Sequence, residues 1–125
     1  MQGASWVQNE ILKKMPSNKL RVYAVWLPMI ASDARSRWSW TAGAIDDPRV
    51  IHLWDEKKVI GTWLAGQPDL KGFEGGVVWD TYLLYGPEAR WESAPGPLVS
   101  WGYTINRTRS ELLKNITPLL EEKKN

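Results

Sequence analysis

The chain contains no cysteine. That absence removes disulfides, thiol nucleophiles, thiolate metal sites and dithiol redox chemistry together. A single histidine, His52, excludes a zinc site assembled from several histidines of one chain. The two signs of charge are nearly balanced: 16 basic and 14 acidic residues leave a formal charge of +2. The basic residues are scattered, and Lys57-Lys58 and Lys123-Lys124 are short pairs rather than a patch, so no nucleic-acid partner is expected. No apolar run approaches the ~18 residues of a membrane span, and no membrane partner is expected. Glu10 and the lack of a continuous apolar stretch set the N-terminus apart from a secretory signal, which predicts a cytoplasmic protein.

What is abundant is tryptophan, nine in 125 residues. Indoles supply large apolar area for a core, each with an N–H that needs a partner. The sharper alternative is an aromatic groove for a sugar or peptide. The length predicts one domain over 1–125.

Ser5 and Gln8 have the spacing of a capping box, and Val7, Ile11 and Leu12 follow on one helical face, predicting an N-terminal helix over about 5–15 that ends at Met15-Pro16. Residues 20–27 read as a first strand. Ala34, Trp38, Ala42 and Ile45 recur at helical spacing after Ser32 or Asp33 as cap. Asp46, Asp47 and Pro48 form a stop, and residues 49–54 a second strand. Strand, helix and strand within about 35 residues predict a parallel crossover unit. Val59-Ile60 and Trp63-Leu64 favour a short helix within 56–66 despite Gly61. Residues 66–76 read as a loop.

Residues 77–85 are the longest β-prone run, apolar on both alternating faces apart from Asp80, and predict a central strand. Gly86-Pro87 predicts a turn, residues 89–93 a return strand, and 93–97 a loop with Pro95 and Pro97. Thr108 and Glu111 form a second capping box before an amphipathic helix carrying Leu112, Leu113, Ile116, Leu119 and Leu120, kinked or ended near Pro118.

Three segments resemble an uncharacterised group of thioredoxin-like bacterial proteins: Trp26-Leu27-Pro28-Met29, the run from Asp47-Pro48-Arg49-Val50 to His52-Leu53-Trp54-Asp55, and Val78-Trp79-Asp80-Thr81-Tyr82 through Gly86-Pro87. With the element order, the likeness spans about 19–120. It implies an α/β protein, a thioredoxin-like three-layer α/β/α sandwich with a central four-stranded mixed sheet. Aligned on Trp26, residues 30–33 stand where redox-active thioredoxins carry Cys-x-x-Cys. The family's cis-proline would fall near Gly75 or Gly76. Both features are missing, so the resemblance implies the scaffold without thiol–disulfide oxidoreductase activity.

In an open α/β sheet, ligands sit at the carboxyl ends of parallel strands. That edge gathers Trp26, Pro28, Asp33, Arg35 and Arg37 after the first strand and Trp54 and Asp55 after the second. The thioredoxin arrangement adds Asp80. Close carboxylates make an acid/base pair or a hard-cation site. Against that stand plainer roles: Asp33 near a helix start, Asp55 ending a strand, Asp80 in a structural hydrogen bond or an ion pair with an arginine, His52 satisfied within a sheet. The glycines of 72–76 lack the lysine of a P-loop, and Ser32, Ser36 and Ser100 have no nucleophile elbow. The sequence predicts a non-redox domain that binds a peptide, protein or small molecule at this edge, with no cofactor, as a monomer or homodimer. A small aspartate-based enzyme, with or without a divalent cation, and an oligomeric structural subunit are the alternatives.

Overall fold

A computed structural model describes residues 2–28 and 45–120. They fall in two compact units, Met1–Trp79 and Asp80–Asn125.

The first unit opens with α1 (Gln2–Trp6), which runs on directly as a π-helical stretch, Val7–Leu12. The wider winding shows in the Lys13 N–H, which donates to Gln8 O at 3.0 Å. Ser5 therefore lies inside the helix and does not cap it. The stretch buries Ile11 and Leu12. Next come β1 (Val22–Trp26) and β2 (Val50–Trp54), parallel as the crossover pattern predicts, in register from Val22↔Val50 to Trp26↔Trp54. The crossover helix expected from Asp33 to Ile45 lies, apart from Ile45, outside the described residues.

α2 (Val59–Ala65) forms where the 59–64 spacing places it. Gly61 is indispensable to its packing. A Cβ there would lie 2.8 Å from Val77 Cγ1 and 3.0 Å from Val78 O, and the Val78 N–H donates to Gly61 O at 2.8 Å. A 3-10 turn, Pro68–Leu70, buries Leu70. Among the described residues of this unit, the buried apolar side chains are Ile11, Leu12, Leu20, Ile45, Leu70 and Val78.

The second unit is a hairpin and a helix: β3 (Thr81–Trp91), β4 (Pro95–Tyr103) and α3 (Ile105–Leu120). β3 and β4 are antiparallel, with register shifts on both sides of Tyr85. Tyr82 lies opposite Gly102, and α3 comes so close to that pair that a Cβ on Gly102 would collide with Thr108 and Tyr82. The Tyr82 hydroxyl and Ser100 Oγ share a hydrogen bond of 2.8 Å, and Asn115 Nδ2 donates to the Ser100 oxygen at 3.4 Å. Leu112 and Ile116 are buried.

The expected thioredoxin-like sandwich is not what forms. Among the described residues there are, instead of a central four-stranded mixed sheet, two two-stranded sheets, β1-β2 and β3-β4. The cause is local. The run 77–85 does not act as one strand, because Asp80 takes a left-handed conformation (φ 48°) and breaks it. Val77 and Val78, expected within the strand, lie instead against Gly61, and β3 starts only at Thr81.

Gly86-Pro87 is no turn either. It lies within β3 where the register slips, and the hairpin closes at 92–94. Pro95 and Pro97 sit in β4, which tolerates them because a strand of a two-stranded ribbon has an open edge where no N–H is required. α3 begins at Ile105, so Thr108 is inside it. Its hydroxyl donates back to Thr104 O at 2.8 Å instead of capping. α3 also continues past Pro118 to Leu120.

Candidate functional site

The carboxyl ends of β1 and β2 bring Trp26 and Trp54 together as register partners. Trp26 faces along β2, and its indole N–H donates to His52 Nδ1 at 2.9 Å. An indole nitrogen can only donate, so Nδ1 accepts and the ring proton sits on Nε2, which donates to Ile45 O at 3.1 Å. The two rings lie edge to edge and nearly coplanar, 16° apart with centroids 6.1 Å apart. His52 is thus engaged at both nitrogens, the role of a satisfied sheet histidine. The Trp54 indole N–H donates to the Glu56 carboxylate.

Asp55 is 7% exposed, and its surroundings explain why a carboxylate is held there. One carboxylate oxygen accepts the Val59 N–H at 2.8 Å. The other accepts those of Ile60 and Gly61 at 2.9 and 3.2 Å. These are the orphan donors that open α2, and the helix dipole adds to their attraction for negative charge. The Asp55 N–H in turn donates to Trp26 O at 2.7 Å. One residue ties the ends of both strands to the start of the helix, a structural role that gives no support to an aspartate-based active site.

Of the other predicted site residues, Asp33, Arg35 and Arg37 lie outside the described residues. Pro28 follows β1 and is half-buried. Asp80 is exposed, contrary to the expectation of a carboxylate buried in a central strand, and its carbonyl accepts the Ile105 N–H at 3.0 Å at the start of α3. Among the described residues no group of three or more His, Asp or Glu side chains is placed to hold a metal ion. The described tryptophans are half-buried or exposed rather than core; Trp38 and Trp40 lie outside the described residues.

Sequence reasoning missed two constellations. Arg49, read only as a strand start, is a hub. Its Nε and Nη2 donate to the two Asp47 carboxylate oxygens, both at 2.9 Å, while Nη1 reaches Met15 O and Ser17 O and Nη2 also reaches Leu12 O. The Arg49 side chain, and then its backbone N–H, hold the Asp47 carboxyl down to about 2, and Asp47 raises Arg49 above its ordinary value. The second is an amide clamp: Gln8 Nε2 donates to Asp46 O at 3.2 Å and Gln8 Oε1 accepts the Asp46 N–H at 3.0 Å. The Asp-Pro-Arg spacing was the only local signal for the first. The clamp joins residues 38 apart in sequence and had none.

The opposite face of the parallel pair is different. Tyr23 and Ile51 are direct register partners, 64% and 48% exposed, and Leu53 beside them on β2 is 41% exposed. Val25 completes the face. All four side chains are uncharged, and only the Tyr23 hydroxyl is polar.

No protein-family model, no curated protein and no solved structure matches this chain. The resemblance to thioredoxin-like proteins has no support beyond the local motifs that suggested it. Among the described residues no helix is long and apolar enough to cross a membrane.

Proposed function

We propose that this protein is a protein-binding module that receives an apolar surface of its partner on the β1-β2 face lined by Tyr23, Ile51 and Leu53. The observation that carries this reading is their joint exposure on adjacent positions of parallel strands. Parallel sheets are as a rule covered on both faces, so an apolar face that stands exposed among the described residues favours a covering partner. This reading moves the contact from the strand-end edge, where Trp26, Trp54, His52 and Asp55 are occupied with one another and with the chain, to the face beside it. Covering a half-exposed residue of this size contributes about 1 kcal/mol, roughly half of a full burial. Three such residues anchor a contact and leave its specificity to the rim.

The test pairs Ile51→Lys and Leu53→Lys with the parent protein. The parent should enhance the fluorescence of the apolar probe anilinonaphthalene sulfonate and retain a defined protein from a cell extract. Both properties should be lost in the lysine variants while their circular dichroism is unchanged. Folded variants that retain the same protein would refute the reading.

A further inference from the structure

The parallel register fixes which backbone groups of β1 face β2. The Val22 N–H donates to Arg49 O at 3.2 Å, and Trp26 O accepts the Asp55 N–H at 2.7 Å. In a parallel ladder the residues between alternate, so Val22, Ala24 and Trp26 bond towards β2. Tyr23 and Val25 then turn their N–H and C=O groups to the outer edge of β1. Among the described residues no strand pairs with that edge, and no hydrogen bond from these outer groups is found. Unpaired strand edges are ordinarily blunted by proline, charge or a bulge. The hairpin of the second unit has such devices: Pro87 in β3, Pro95 and Pro97 in β4, and two register shifts. β1, Val22 through Trp26, has neither proline nor charge, and its pairing with β2 is regular throughout.

We infer that the outer edge of β1 pairs with β1 of a second copy of this chain, antiparallel about a two-fold axis at Ala24. Antiparallel pairing about that residue sets Tyr23 opposite the partner's Val25, and the reverse. Both residues carry outward groups, so the two pairs exchange four hydrogen bonds and satisfy every outward N–H and C=O of Tyr23 and Val25. The register is also self-complementary in its side chains. Each Tyr23 meets a β-branched valine, a favoured cross-strand pair. Arg21 falls opposite the partner's Leu27 rather than its own copy, so no like charges are directly opposed. The strand order becomes β2-β1-β1-β2, and the apolar face runs unbroken across the axis. This edge contact does not occupy the proposed protein-binding face, and the two readings stand or fall separately.

Light scattering after size exclusion, with the full chain, should give a particle of twice 14.3 kDa. In amide hydrogen exchange, Tyr23 and Val25 should be protected at high protein concentration and lose that protection on dilution. Tyr23→Pro removes one outward N–H and leaves the β1-β2 ladder intact, and should halve the mass. Tyr23→Lys, a second route to the same end should the proline variant not fold, should also halve it. A monomeric parent protein, a dimer that persists in a folded Tyr23 variant, or Tyr23 and Val25 amides that exchange freely in the dimer would each overturn the inference. Ile51→Lys should leave the mass doubled, which separates this result from the test of the binding face.

Discussion

Arg49 and Asp47 meet fork to fork, with two N–H···O bonds of 2.9 Å between one guanidinium and one carboxylate. The remaining three donors of the guanidinium go to Leu12, Met15 and Ser17 carbonyls, so all five are engaged. The start of β2 is thereby fastened to the end of the N-terminal helix. Lysine keeps the charge but not the fork. Arg49→Lys should lower stability by about 1.5–3 kcal/mol, the range for hydrogen bonds to a charged group, read from the urea midpoint. A midpoint equal to that of the parent would show that the hub is dispensable.

The same pair sets an acid limb. With Asp47 near 2 in the folded chain against an ordinary 3.8, its contribution is complete above the higher value and is lost as pH falls through the lower. The urea midpoint of the parent should exceed that of Asp47→Asn at neutral pH. The two should converge as pH drops from about 4 towards 2. A gap that stays constant over this range would contradict the assignment.

Asp55 holds α2 through three N–H bonds. Asp55→Ala should cost about 1–2 kcal/mol, the upper part of the range for losing a helix cap, while Asp55→Asn keeps an acceptor oxygen and should cost less. Thermal unfolding followed at 222 nm, the usual helix wavelength, orders the two. The reverse order would mean that an acceptor oxygen without the negative charge does not serve the helix start.

Gly102 is where the backbone of β4 lies against Thr108 and Tyr82. Gly102→Ala should destabilise the second unit by about 1–3 kcal/mol, since the added methyl has nowhere to go without shifting α3. Gly86→Ala, whose Cβ would be 3.6 Å from Val99 Cγ2, an ordinary contact, is the control. Equal midpoints for the two variants would show that α3 moves away without cost.

Asp80 is exposed and has a positive φ. Asp80→Asn should change stability by no more than about 0.5 kcal/mol, as for other surface positions. Asp80→Gly should be neutral or slightly stabilising, because glycine adopts the left-handed region freely. A loss of about 3–5 kcal/mol in Asp80→Asn would instead mark a buried, paired carboxylate.

The elements that were legible in the sequence are those whose causes are local. Periodicity and branched residues place β1, β2 and α2, the spacing between the strands places them parallel, and the missing cysteines exclude thiol chemistry without any structure. The elements that were not legible depend on a competition between partners distant in sequence. Val77 and Val78 have strand character, yet a glycine on α2 offers them a close fit, and a left-handed Asp80 ends the run. The prolines of β4 suggested a loop because their tolerance depends on an open edge, which only the pairing defines. For the site, the residue types at the strand ends were visible from the start. Whether a carboxylate is free for chemistry or held by backbone donors is decided by tertiary geometry: Asp55 accepts three N–H groups because α2 begins beside it, and nothing in the order of the residues states that.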